Sequence, residues 1–209
     1  MQRIIAVILS LVMLFVLASC GLEKGLQSIA SEQNKAITRG TIEGDTYSSE
    51  YAEITFTKPE AWTFSTDNEI AELMNASADV LDQSNFQKTV TSMISVYDMM
   101  VKDPATGANI SVAYENLKLT NKTNISYDEY FEAFNKQYSN QTAFSVEIGK
   151  RFEKALGVQH YKACSYNLSY NDVDMKQYAY IRKIDNFMHI IMITTTEQTA
   201  IADIEAKFS

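Results

Sequence analysis

Only two histidines, two cysteines, two prolines, one tryptophan and seven glycines occur among 209 residues. Each shortage removes a class of chemistry. His160 and His189 are the sole imidazoles and stand at no spacing of the zinc motifs, so no metal is expected. The glycines are scattered at turns, which leaves no glycine-rich loop to cradle a phosphate, and no cofactor is expected either. Pro59 and Pro104 both read as turn residues, and no low-complexity tract or internal repeat occurs. Basic residues are outnumbered: 18 Lys and Arg stand against 26 Asp and Glu, a formal net charge of −8. That balance argues against a basic groove for nucleic acid and favours basic or neutral partners.

What the chain does have begins at its first residues. Arg3 supplies a positive charge, and Ile4 to Ala18 then form an apolar run broken only by Ser10. A spanning helix needs about 20 apolar residues, and Cys20, Gly21, Glu23 and Lys24 cut this run short. A charged start, a short apolar core and a small-residue cleavage site are the parts of a secretory signal. Leu17-Ala18-Ser19-Cys20 resembles the bacterial lipobox. The resemblance implies that Leu17, Ala18 and Ser19 form the peptidase recognition site and that the Cys20 thiol takes a diacylglyceryl group. Two acyl chains give stable anchoring at roughly 0.8 kcal/mol per buried methylene. The expected location is therefore the outer, extracytoplasmic face of a bacterial membrane, with the bilayer as one partner.

With Cys20 committed to lipid, Cys164 has no cysteine left to pair with. Cys164, Tyr166, Leu168 and Tyr170 alternate with Ser165, Asn167 and Ser169, which places the thiol on the apolar face of a strand. A buried packing role is expected for it. The boundaries that follow are a signal peptide over 1–19, a lipid-anchored tether over 20–46 and one domain over 47–209.

Within that domain strands and helices interleave. Ile54 and Phe56 mark a strand, Pro59 to Trp62 a turn, and Thr66 to Asp82 a helix opened by a Thr66–Glu69 capping box. Val90 to Val101 is rich in β-branched residues and predicts a strand. The Asp103–Gly107 turn then leads into Ile110, Val112 and Tyr114. Ser126 and Glu129 open a second helix, on which Tyr127, Tyr130, Phe131, Phe134 and Tyr138 fall at helical spacing. Such a stripe fits core packing better than a stacking surface for ligand. Strand candidates follow over 144–152, 158–170, 178–184 and 187–195, with turns at Asn171–Asp174 and Asp185-Asn186. Phe187 to Ile193 is apolar on both faces, as a covered central strand requires. A last helix carries Ile201, Ile204 and Phe208. Strands joined by tight turns pair antiparallel, so the expected class is α+β: a twisted, mostly antiparallel sheet packed by helices.

Several stretches also carry a family likeness. Thr38 to Tyr47, Pro59-Glu60-Ala61-Trp62-Thr63-Phe64, Asp67 to Met74, Tyr97-Asp98-Met99-Met100 and Tyr114-Glu115-Asn116-Leu117 resemble a group of clostridial-type lipoproteins. The strand–proline–tryptophan opening, the aromatic helix and the terminal meander resemble the wider PsbP/Mog1-like fold. This implies a helix–sheet–helix sandwich over 38–209 and brings no catalytic residue with it. Ala61 departs from the glycine common in such turns.

No catalytic constellation stands out. A Cys164–His160 pair is the sharpest enzymatic idea, yet four residues along a strand span about 13 Å. Asp103 and Asn109 lack the spacing of a calcium loop. His189, inside an apolar run, reads as a core histidine. Trp62 reads as a plug between strand and helix, or as the edge of a ligand cleft. The expectation is a non-catalytic, membrane-anchored binding module for another envelope protein or macromolecule. The alternative is a small-ligand receptor with a pocket between sheet and helix near Trp62. Those two differ in what they require: an exposed apolar patch for a partner, a preformed cavity for a ligand.

Overall fold

The computed structural model describes residues 36–141, 144–170, 173–196 and 199–209. Strands β1 (Thr41–Glu43), β2 (Thr46–Ser49) and β3 (Ile54–Thr57) form a small antiparallel sheet in the order β1-β2-β3. Gly44, at φ +58°, makes the turn between the first two. The main sheet contains β4 (Thr63–Phe64), β5 (Ser95–Lys102), β6 (Asn109–Asn116), β7 (Ser145–Leu156), β8 (Gln159–Tyr170), β9 (Val173–Ile184) and β10 (Phe187–Thr195). Its order is β4-β5-β6-β10-β9-β8-β7, and every pairing is antiparallel. The helices are α1 (Asp67–Leu73), α2 (Gln83–Ser92), α3 (Tyr127–Ser139) and α4 (Ile201–Glu205), with a 3₁₀ turn at Ala78–Leu81. The fold class is α+β, a large antiparallel sheet packed by helices.

Alternation along the strands assigns the two faces. Tyr114 of β6, His189 of β10 and Arg182 of β9 lie side by side in register on one face. That face meets α2, through an edge-on Phe86–Tyr114 contact at 6.4 Å between ring centroids, and the small sheet, through Ser49 Oγ and the Tyr114 hydroxyl at 3.1 Å. Helix α4 closes over the same face, where Tyr180 donates to Glu205 at 2.7 Å. Helix α3 covers the opposite face. Tyr138 stacks on Tyr166 at 4.8 Å and 14°, and Tyr130 donates to the Glu115 carboxylate at 2.5 Å. The aromatic stripe is thus core: Tyr130, Phe131, Phe134 and Tyr138 are all buried. Both capping boxes are present, with the Glu69 and Ser126–Glu129 side chains bonded to the helix-start backbone.

Four expectations change. The helix expected over 66–82 ends at Leu73, since Asn75 sits at φ 51° and the chain then enters the 3₁₀ turn. The strand expected from Val90 begins only at Ser95, because α2 occupies 83–92. Phe86, Thr89 and Val90 recur at i, i+3 and i+4 and are buried together, so packing overrides the β-branched preference of Thr89-Val90-Thr91. Val173 and Asp174, expected in a turn, open β9, while Asn171 and Asp172 lie outside the described residues. The packed chain also starts ahead of Tyr47. Ile37 is buried, the Gly40 N–H donates to Asp98 at 2.9 Å, and β1 and half the first hairpin fall within the expected tether. Three-residue β1 is exposed throughout, so it leaves no apolar signature in the sequence. The expected signal peptide, Cys20 and its Leu17-Ala18-Ser19 neighbours lie outside the described residues.

Candidate functional site

Beyond α4, the face that carries Tyr114 and His189 loses its cover, and the floor of the sheet there becomes polar. Two cross-strand rows run over it. In the first, Ser145 of β7 is opposite Ser169 of β8, which is opposite Asp174 of β9. In the second, Glu147, Asn167, Lys176 and Thr195 follow one another across β7, β8, β9 and β10. Strands about 4.8 Å apart, with same-face neighbours roughly 7 Å apart along each, turn these rows into a grid of polar groups. Thr196, Thr199 and the start of α4 at Ile201 form the wall. The enclosed cleft measures about 890 Å³ and is open on one side.

Glu147, Asn167, Asp174 and Lys176 are exposed on this floor, whereas Thr195 is buried. The Asn167 amide donates to Glu147 at 3.1 Å, and the Thr195 hydroxyl lies 3.4 Å from the Lys176 carbonyl. The Lys176 ammonium has no carboxylate within ion-pair distance among the described residues. Tyr178 sits half-buried at the inner end, its hydroxyl pKa raised by burial and by the Glu205 charge. No histidine or cysteine lines the cleft, so its hydroxyls have no imidazole base beside them. A smaller hollow of about 260 Å³ lies across the sheet between α3 and β7–β8, where Arg151 stacks 5.6 Å over the Phe131 ring.

The residues singled out in the sequence lie elsewhere. Trp62 is 5% exposed and its N–H closes the Pro59 turn at 3.0 Å. It lines neither hollow; it packs beside β4, at the far edge of the sheet from the cleft. Cys164 is buried, its thiol pKa raised by desolvation, while His160 on the same strand is exposed, so the two are not brought together. The Asp103 carboxylate serves its own turn, accepting from the Ala105 N–H at 2.9 Å and the Thr106 hydroxyl at 2.6 Å. Among the described residues no three His, Cys, Asp or Glu side chains are grouped to hold a metal ion.

Two buried titratable groups stand under the small sheet. Asp98 occupies a bulge in β5, between Tyr97 and Met99. It accepts from the Tyr47 hydroxyl at 2.6 Å and the Gly40 N–H at 2.9 Å. Arg39 lies 4.0 Å away and forks onto Asp67 at 2.8 and 2.5 Å. Burial outweighs these partners and lifts the Asp98 pKa to about 6. His189 is fully buried, with Nδ1 3.2 Å from the Tyr161 hydroxyl; desolvation, then the Arg182 charge, lowers its pKa to about 3. It is the core histidine expected, held neutral. The cleft itself was not anticipated, since polar residues alternating along a strand read as an ordinary solvated face.

No protein-family model matches the chain, and no curated protein matches it. Solved structures of similar shape exist. The solution structure of the cyanobacterial PsbP protein (CyanoP) from Synechocystis is 12% identical over 87% of this chain and 97% of its own, with a TM-score of 0.48. A Bacteroides thetaiotaomicron crystal structure is 12% identical over 80% of this chain and 48% of its own, at 0.42. LpqN of Mycobacterium tuberculosis, described as involved in cell envelope biogenesis, is 11% identical over 75% of this chain and 82% of its own, at 0.41. These are likenesses of fold.

Proposed function

We propose that this chain is a non-catalytic, lipid-anchored extracytoplasmic protein whose domain binds another envelope component, protein or other macromolecule, through the β7–β9 cleft. The observation that carries the reading is the cleft: about 890 Å³, open, floored by two rows of polar side chains and devoid of an imidazole or thiol. It is built to hold a ligand by hydrogen bonds on a rigid sheet. The lipobox at Leu17–Cys20 supports attachment to the membrane, and no helix among the described residues is long and apolar enough to cross one. A small-ligand receptor is the second reading, supported by the cleft volume, which falls within the roughly 300–1,000 Å³ of small-molecule sites.

Site-specific photo-crosslinking in the native host tests this. A benzophenone amino acid at Ser145, on the open side of the cleft, is expected to trap a reproducible adduct that the same probe at exposed Lys88 of α2 does not. Metabolic labelling with a radioactive fatty acid should mark the wild type and leave Cys20→Ser unlabelled. Equal labelling of both removes the anchor. No cleft adduct, together with a saturable small-molecule ligand in a metabolite screen, moves the assignment to the receptor.

A further inference from the structure

We infer that residues 145–148 of β7 form an edge that takes an extended peptide of a partner protein as an added strand of the main sheet. The inference deepens the binding-module reading above and rests on it. The other sheet edges are short or closed. On the small sheet β1 has three residues, and β3 is covered by the chain end, where Thr55 and Ser209 exchange N–H and C=O bonds at 2.8 and 2.9 Å. At the far side of the main sheet β4 has two residues, and beside it Ser65 donates to the Met100 carbonyl at 2.9 Å. Strand β7 is twelve residues long, with β8 on one side and no strand on the other. Its guard stands over the second half: the bulge at Gly149–Lys150 and the charges of Arg151, Glu153 and Lys154. Residues 145–148 hold no proline, no bulge and a single charge, Glu147.

An open edge selects its occupant by chemistry. It offers backbone N–H and C=O groups at strand spacing, and an extended polypeptide returns donors and acceptors in the same repeat. Among the described residues no backbone bond reaches 145–148 from the outer side. Four residues span about 13 Å. Ser145 and Glu147 already form the margin of the cleft, so an added strand extends its floor.

The two faces of this edge set the side chains of the guest. Val146 and Ile148 stand opposite buried Leu168 and Tyr166, on the face that α3 covers. Val146 is half-buried against the core and Ile148 is 40% exposed, so apolar residues of an added strand complete that rim. Ser145 and Glu147 lie on the cleft face, where Glu147 and Asp174 outnumber Lys176 and the whole chain carries −8. A cation directly across from Glu147 is favoured there, and a carboxylate is repelled. The guest is therefore a segment that alternates apolar with basic or neutral polar residues.

The test uses the full chain, purified from membranes in detergent, with three capped octapeptides that alternate valine with lysine, threonine or glutamate. Calorimetry measures binding, and amide hydrogen exchange locates it. The lysine peptide is expected to bind saturably, the threonine peptide more weakly and the glutamate peptide not at all. Exchange at 145–148 should slow when peptide is bound. Methylating every backbone nitrogen of the lysine peptide keeps its side chains, removes its donors and should abolish binding. Ile148→Asp should weaken binding about tenfold, Glu147→Lys should transfer the preference to the glutamate peptide, and Lys88→Ala should change nothing. Both edge residues are exposed, and unchanged thermal unfolding confirms that the variants fold. No slowing at 145–148 with any peptide, or equal binding of the methylated one, overturns the inference. A chain that sediments as a dimer, and as a monomer after Ile148→Asp, gives the edge to a second copy and overturns it too. A protein adduct from Ser145 without protection at 145–148 removes strand addition and keeps the binding module; failure of both experiments removes both.

Discussion

The centre of the main sheet and its β7 end are made of the same element and do opposite work. Every residue of β6 is buried, as is every residue of β10 after Phe187. In β7 only Leu156 is buried out of twelve. The central strands are flanked on both sides and covered on both faces, so their polar groups must find partners inside. Gln177 bonds to Thr194 at 2.9 Å and to Tyr138, and Glu115 is held by Tyr130. Desolvation still raises the Glu115 pKa. Strand β7 has one neighbour and an open flank. It protects that flank with charged side chains and with a bulge at Gly149–Lys150, where a Cβ on Gly149 would strike Ser165. Burial is concentrated at the centre, which leaves the outer strand β7 with little to seal from water.

This contrast is open to direct attack. Ile191→Ala, at a fully buried position in β10, is expected to lower the unfolding free energy by about 3–4 kcal/mol in denaturant titration. Ile148→Ala, 40% exposed in β7, is expected to cost under about 1 kcal/mol. Equal losses would end the distinction. Asp98→Ala strands the Tyr47 hydroxyl and the Gly40 N–H, and a loss of about 2–4 kcal/mol is expected. Amide exchange should then quicken across 40–49 before it quickens in β10.

The pH response comes next in size. His189 is neutral in the fold down to about 3, whereas an unfolded histidine takes up its proton near 6.5. The unfolded state therefore binds more protons between those values, and the stability contribution of His189 falls as pH falls through that window. Asp98 has the opposite sign. Its raised pKa of about 6 means the folded state binds more protons between about 4 and 6, so its contribution improves as pH falls. The two oppose one another in mild acid. His189→Gln should make the variant gain stability relative to wild type as pH is lowered from 6.5 to 4, measured by denaturant midpoints. An unchanged difference across that range rejects the buried neutral imidazole. The smallest effects belong to the margins: Thr66→Ala removes one capping box for about 1 kcal/mol, and Asn167→Ala in the cleft should stay within about 0.5 kcal/mol.

Some of this was legible in the chain. The two capping boxes, the aromatic face of α3, the doubly buried β10 and the α+β class all rest on local rules: a cap three residues from its partner, a period of 3.6, an unbroken apolar run. Cys164 and His189 could be read as core for the same reason, since apolar neighbours on a strand define their surroundings. Helix α2 was not legible, because Thr89-Val90-Thr91 favours a strand locally and the helix is rewarded by tertiary contacts, among them Phe86 on Tyr114 and the Asn116 amide on the Val90 carbonyl. Nor was the role of Asp98, whose partners Gly40 and Tyr47 lie 58 and 51 residues away.

By itself, then, the sequence determined the periodic elements and which faces are apolar, because these depend on neighbours a few residues apart. The tertiary structure alone decided which polar faces stay in water and which are sealed. Ser169, Asp174 and Glu147 share one cleft only because β7, β8 and β9 pair in that register and α4 stops short of them. Cross-strand register and the reach of a covering helix are set by contacts distant in sequence, and no local pattern encodes them.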